Sequence, residues 1–170
     1  MSTAPPAVPA RVSVREPVSK AGYVDVAWWP HTRDLAAELP ALLDVLGSTG
    51  HAVTRVSYHL GAWEPAPRKM RVSVRVLRLG GFATGDPLLV RLTDSEGRDA
   101  VDVLVVAPDT DAALAAAVLD LARTPGDLLR PAELLAEAGR RVGGAGRVGR
   151  PELPTEEDPH VPDHARVDRT

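Results

Sequence analysis

Lys69-Met-Arg-Val-Ser-Val-Arg-Val76 is the stretch of sequence on which the predicted fold depends. Apolar and polar side chains alternate strictly along its eight positions. In a β-strand successive side chains point to opposite faces of the sheet, so this pattern indicates a strand with one dry face and one wet face. Strands of that kind are typical of antiparallel sheets.

Four other segments are predicted to be strands of the same sheet. They are Arg11–Arg15, Val53–Leu60, Leu88–Leu92 and Val101–Val106. Val101–Val106 is almost continuously apolar, which favours an interior strand buried on both faces. The pair Gly80-Gly81 is predicted to be a turn, because glycine adopts the backbone conformations that tight turns require.

Three helices are predicted from leucine spacing and from helix-terminating residues. Apolar residues recur at helical spacing between Leu35 and Leu46, and Pro40 predicts a kink or two short helices there because proline lacks the amide hydrogen. The other helices span Ala112–Ala122 and Pro131–Arg141. The expected fold is therefore a two-layer α+β domain, with an antiparallel sheet of about five strands and helices on one face.

The 170 residues are expected to form one globular domain over 11–142. Residues 1–10 contain three prolines and are predicted to be a flexible lead. Residues 143–170 are rich in Gly, Pro and acid and are predicted to be a disordered tail. The acidity is concentrated there, because the last twenty residues hold six acidic side chains against two arginines, while the whole chain has a net charge of −3.

Several functional classes are excluded or disfavoured by composition. With no cysteine there is no disulfide, thiol catalysis or cysteine metal site, which fits a reducing cytoplasm. The longest apolar run, Ala112–Leu119, is far shorter than the ~20 residues of a membrane span. No signal peptide is recognised, and no pair of histidines has metal-ligand spacing on a helix. We therefore expect a cytoplasmic protein with no cofactor, no metal and no membrane partner.

A cluster of basic residues lies on and around the alternating strand. Lys69, Arg71 and Arg75 project from one face, with Arg68 and Arg78 nearby. This pattern fits an anion or nucleic-acid patch, but it also fits the solvated face of a strand protected from aggregation. Because residues 1–150 are almost neutral overall, the second interpretation is favoured and no nucleic-acid partner is expected.

The three tryptophans occur in only two segments, Trp28-Trp29 and Trp63. Neighbouring residues of an extended chain point to opposite sides, so at most one of Trp28 and Trp29 is an ordinary core residue. We expect the three rings to lie near one another, with Arg33 or Arg68 against a ring. The alternatives are a structural cluster covered by loops and a binding pocket. The candidate site residues are Trp28, Trp29, Arg33, Asp34, Tyr58, Trp63 and Arg68.

Several short segments carry a resemblance to a known family. They are Gly22–Pro30, Arg33–Pro40, Trp63–Arg68, Leu79–Phe82 and Asp102–Thr110. Together they resemble a family of uncharacterised actinobacterial proteins, catalogued as a domain of unknown function, over roughly residues 11–122. The resemblance implies a compact bacterial domain and assigns no activity, ligand or catalytic residue.

The sequence does not identify a reaction. The favoured hypothesis is a non-enzymatic module that binds a small molecule or a protein through the aromatic and arginine side chains. The alternative is an enzyme at the same place that uses Asp25, His31 or Asp34 as acid or base. A pocket with a buried carboxylate beside His31 would favour the enzyme.

Overall fold

The computed structural model describes residues 10–15, 24–124 and 129–145. In chain order their elements are β1 (Arg11–Val14), β2 (Val26–Trp29), α1 (Leu35–Ser48), β3 (Arg55–His59), β4 (Lys69–Val72), β5 (Arg75–Phe82), β6 (Leu89–Thr93), β7 (Ala100–Val105), α2 (Ala112–Ala122) and α3 (Pro131–Ala145). The predicted lead and most of the predicted tail lie outside these residues. However, α3 extends three residues beyond the domain boundary predicted at residue 142.

The strands form one seven-stranded mixed sheet in the order β1-β2-β7-β6-β3-β5-β4. The neighbours β2 and β7 are parallel, as are β3 and β5, and the other four pairs are antiparallel. The α+β class is confirmed, whereas the antiparallel sheet of about five strands was only partly right. The aromatic segment contributes the additional strand β2, and the alternating stretch contributes two strands. As expected, β7 lies in the interior of the sheet.

The alternating stretch is a hairpin and not one strand. The strands β4 and β5 pair with Val72 opposite Arg75, which leaves Ser73 and Val74 as a two-residue turn. Ser73 has a φ of 52°, the left-handed conformation that such turns require at their first position. The turn contains none of the usual Gly, Asn or Asp, so no residue type marks it as a turn. The predicted turn at Gly80-Gly81 was wrong, because both glycines lie within β5.

The sheet is covered by helices on both faces, which corrects the two-layer prediction. Leu35 and Leu39 of α1 share a core cluster with Val26 and Trp28 of β2. Residues of α2 and α3 share a second cluster with Ala27 of β2, on the opposite face. We call these the α1 face and the α2 face. Binary patterning shows that each helix has an apolar side, but it does not show which face of the sheet receives that side.

The first helix runs through Pro40 as one element of 14 residues. Its N-cap is Asp34, whose Oδ1 accepts a hydrogen bond of 3.1 Å from the amide of Ala37. Proline removes one backbone hydrogen bond, but four leucines of this helix are buried in the core. The burial of these leucines stabilises a continuous helix, although the local sequence predicted an interruption at Pro40. None of the described helices is both long enough and apolar enough to cross a membrane.

Candidate functional site at the ends of β2 and β7

Two of the three tryptophans stack in the core on the α1 face. The ring centroids of Trp28 and Trp63 are 5.3 Å apart, with an angle of 26° between the ring planes. Trp28 is 1% exposed, Trp63 is 7% exposed, and Tyr58 lies buried in the same cluster. Such offset stacking adds to the stabilisation from apolar burial. The sequence-based expectation that the aromatic rings converge is therefore confirmed for Trp28 and Trp63.

Trp29 lies on the other face of the sheet, as strand alternation requires. The guanidinium of Arg11 lies 3.4 Å from the centroid of its ring. The same side chain donates hydrogen bonds to the carbonyl oxygens of Trp29 and Pro30, at 3.0 and 2.8 Å. The arginine against a ring is therefore Arg11, where Arg33 or Arg68 had been expected. Arg11 faces Trp29 because β1 and β2 pair in that register, and no local sequence signal gives the register.

The remaining polar candidates have separate positions. Arg33 donates to the carbonyl oxygen of Ala62 at 3.3 Å and to the Asp109 carboxylate at 3.2 Å, so it joins three loops. Asp34 is occupied as the N-cap of α1. Arg68 is exposed, and its carbonyl oxygen accepts a hydrogen bond from the amide of Leu79, at the β4–β5 hairpin. The structure thus brings together Arg33 and Trp63 and leaves Trp29 and Arg68 elsewhere.

The topology opens a crevice beside Arg33 and Trp63. The parallel strands β2 and β7 lie side by side, with Trp28 opposite Val105 near their carboxyl ends. At the carboxyl ends of these strands, the connection after β2 runs to α1 on one face of the sheet. The connection after β7 runs to α2 on the other face. Connections that diverge to opposite faces cannot fill the space between them, which is why ligands of open α/β sheets bind at such points. We call this place the β2–β7 crevice.

A hollow of about 230 Å³ occupies the β2–β7 crevice. Its lining residues come from four connecting segments and are Arg33, Gly61, Ala62, Trp63, Pro87, Leu88, Val105, Ala107 and Pro108. Most of these side chains are apolar, and Arg33 carries the charge. The indole Nε1 of Trp63 is buried and has no hydrogen-bond partner among the described residues. A buried donor without an acceptor is costly, so this N–H group favours a ligand that supplies one.

A larger hollow lies elsewhere and is less suited to a ligand. It measures about 300 Å³ and lies between the end of α1 and the β4–β5 hairpin, with Asp44, His51 and Arg75 in its lining. Its outer wall includes Val74 at the hairpin tip, which is 93% exposed. No buried polar atom without a partner belongs to its lining. We therefore place the candidate site at the smaller hollow, where topology and an unused donor coincide.

The acid–base candidates have structural roles outside the crevice lining. Asp25 accepts a hydrogen bond of 2.9 Å from the amide of Asp102, and burial raises the pKa of its carboxyl group. His31 Nδ1 lies 3.6 Å from the Glu38 carboxylate. That carboxylate also accepts hydrogen bonds from the amide and hydroxyl of Thr32, at 2.8 and 3.0 Å. Within the described part of the chain, no three His, Cys, Asp or Glu side chains are grouped to hold a metal ion.

The fold and the site define a three-layer α+β protein with a mixed sheet and one small crevice where two parallel strands diverge. A family model described as a family of unknown function, DUF5994, matches residues 11–122. The chain therefore belongs to this family, and the match ends at the end of α2. No curated protein and no solved structure shows a significant match to the chain.

Proposed function

We propose that this protein is a non-enzymatic binding module that takes a small molecule in the β2–β7 crevice. The observation that carries the proposal is a hollow at diverging parallel strands that is lined by both Arg33 and Trp63, and the indole N–H group of Trp63 is buried without a described acceptor. Sites of this kind combine apolar walls with a few convergent polar groups. The site retains Arg33 and Trp63 from the aromatic–arginine surface expected from sequence.

The chemistry of the crevice indicates an acidic ligand with a compact apolar body. Arg33 supplies a guanidinium, and its present partner Asp109 is 79% exposed, so a ligand carboxylate can compete for it at small cost. The Trp63 N–H group requires an acceptor. Leu88 and Val105 supply apolar wall. At about 230 Å³ the hollow is below the usual range for drug-sized ligands, so the ligand is small.

The test is a binding series with small apolar carboxylates. Benzoate, phenylacetate and isobutyrate should raise the melting temperature of the native chain, since any ligand selective for the folded state does so. They should also change the tryptophan fluorescence. Trp63→Phe keeps an aromatic ring in the stack and removes the N–H group, and Arg33→Gln removes the charge. Each variant should fold and bind at least roughly tenfold more weakly, the equivalent of one charge-assisted hydrogen bond.

Arg68→Gln is the matched control, because Arg68 is an exposed arginine outside the crevice. It should leave the carboxylate affinities unchanged. The proposal is wrong if none of the carboxylates binds, or if Arg33→Gln and Trp63→Phe bind them as well as the parent chain does.

An enzyme remains the second candidate because a half-buried carboxylate, Glu38, lies beside His31. That carboxylate already accepts two hydrogen bonds from Thr32, which stabilise the loop before α1. His31→Asn separates the two functions. A binding module in the β2–β7 crevice should retain its carboxylate affinities in this variant, because His31 is not in the crevice lining. A ligand site that includes His31 should lose affinity.

A further inference from the structure

Half of the α2 face is not covered by any described helix. The strand contacts of α2 are mainly with β2 and β1, and α3 packs against α2. On the same face, β3, β5 and β4 expose their side chains, including Val76 at 51% and Phe82 at 54%. We call the α2 side of these three strands the open face.

A row of three cations crosses the open face. Arg55 of β3 lies opposite Arg78 of β5, and Arg78 lies opposite Lys69 of β4. Directly opposite residues share a face, and their Cβ atoms are about 5 Å apart, so like charges there are destabilising. All three side chains are exposed, and none has an ion pair among the described residues.

Protection of a sheet edge does not account for this row. Lysine on the edge strand β4 serves that purpose. However, Arg55 and Arg78 belong to β3 and β5, which are interior strands. Elsewhere on the α2 face the chain supplies a counter-ion, because Arg91 of β6 makes two hydrogen bonds of 2.8 and 2.9 Å to the Asp102 carboxylate. The cationic row therefore offers a surface on which an anionic segment can be attracted.

We propose that the chain's own acidic segment, Glu152–Asp158, docks on the row formed by Arg55, Arg78 and Lys69. This segment contains four carboxylates and no basic side chain, and it lies outside the described residues. Its charge complements that of the row.

The position of α3 makes this docking geometrically possible. The helix ends at Ala145 on the α2 side of the sheet, the side that carries the row. Glu156 is the eleventh residue after Ala145, and an extended chain covers about 36 Å over eleven residue steps. The distance from β2 to β5 is four strand spacings, which is about 20 Å. The extended length therefore exceeds the span of the sheet between β2, against which α2 packs, and the row.

The chain offers a direct test because Lys69 is one of only two lysines, the other being Lys20. A water-soluble carbodiimide activates a carboxylate, the neutral lysine amine attacks it to form an amide, and the carbodiimide leaves as its urea. Because no spacer is added, only a carboxylate and a lysine in close contact are joined. In the monomer of the full chain at low salt, mass spectrometry should find Lys69 joined to Glu152, Glu156, Glu157 or Asp158. In 1 M NaCl, where the screening length is about 3 Å, the yield should fall at least roughly threefold.

The double variant Arg55→Gln and Arg78→Gln should lower the yield to a similar extent, since it removes two charges of the row and leaves Lys69 in place. The matched control is Arg75→Gln with Arg123→Gln, two exposed arginines outside the row, and it should leave the yield unchanged. The proposal is overturned if Lys69 joins none of these four carboxylates, or joins them only in covalent dimers. It is equally overturned if the yield does not respond to salt or to the loss of Arg55 and Arg78.

Discussion

Trp63 combines two roles at the scale of the single residue. Its side chain completes the core stack with Trp28 and also lines the β2–β7 crevice, and its buried N–H group has no described acceptor. The sequence identified it as a candidate because tryptophan is rare in this chain, and its burial follows from the cost of exposing a large apolar ring. That Trp63 meets Trp28 and not Trp29 was decided by the strand alternation in β2.

The core role of Trp63 is tested by truncation. Trp63→Ala should lower the free energy of unfolding by about 3–5 kcal/mol, the range for deleting a buried aromatic side chain. The measurement is chemical denaturation followed by circular dichroism. Trp29→Ala is the comparison and should cost less, because Trp29 is only partly buried. An equal or smaller loss for Trp63→Ala would contradict the core assignment.

Asp25 gives the stability a predictable dependence on pH. Burial raises the pKa of its carboxyl group in the folded state, with a further contribution from the nearby charge of Asp102. The folded state is therefore penalised when the group is ionised, and the penalty grows as pH rises from the ordinary pKa through the raised one. Asp25→Asn removes the charge and keeps an oxygen to accept the Asp102 amide, so it should be more stable than the parent chain at about pH 7.

This advantage of Asp25→Asn should shrink as the pH is lowered through about 4 toward about 3, where the parent carboxyl group is mostly neutral in both states. Urea denaturation at a series of pH values measures the difference. Asp44→Asn, at an exposed position on α1, should show no such trend. A constant difference for Asp25→Asn across the series would show that the ionisation of Asp25 does not cause it.

At the scale of elements, the hairpin and the first helix show where local patterns mislead. The two-residue turn at Ser73 and Val74 is compatible with unbroken alternation in the sequence, so eight alternating residues were interpreted as one strand. The turn was invisible because Ser73 adopts a positive φ without glycine. In α1, Pro40 suggested a break that the buried leucines override. The helix α2, by contrast, was predicted with its observed bounds.

The turn leaves a specific strain that can be relieved. A residue with a side chain pays a steric cost at the left-handed φ of Ser73, and glycine does not. Ser73→Gly should therefore raise the free energy of unfolding by about 0.5–1 kcal/mol, after the greater freedom of glycine in the unfolded chain is subtracted. Thermal denaturation measures the change. Ser95→Gly, in an exposed turn without a positive φ, should be neutral or destabilising, and the same result at Ser73 would contradict the strained turn.

At the scale of the whole molecule, the three layers depend on pairings between distant segments. The amide of Asp102 donates to Asp25 across 77 residues of sequence, and β2 pairs with β7 over the same separation of the chain. These pairings set the order of the strands, send α1 and α2 to opposite faces and create the β2–β7 crevice. They also leave the open face with its row of cations.

The globular unit should be nearly self-sufficient. A chain of residues 10–145 contains every described element, and the segments outside it have few apolar groups to offset ordering entropy. It should melt within a few degrees of the full chain by calorimetry, because exposed charge pairs such as those proposed for Glu152–Asp158 contribute only about 0–1 kcal/mol each. A much lower melting temperature would show that residues outside 10–145 pack against the core.

The sequence by itself determined the α+β class, the positions of most strands and helices, and the opposite orientations of Trp28 and Trp29. These follow from local rules, since periodicity and proline stereochemistry act over a few residues. Only the tertiary structure decided the mixed strand order, the helices on both faces, the contact of Arg11 with Trp29, and the meeting of Arg33 with Trp63. These features depend on which distant strands pair and in what register. The periodicity of a short segment does not specify the pairing or the register.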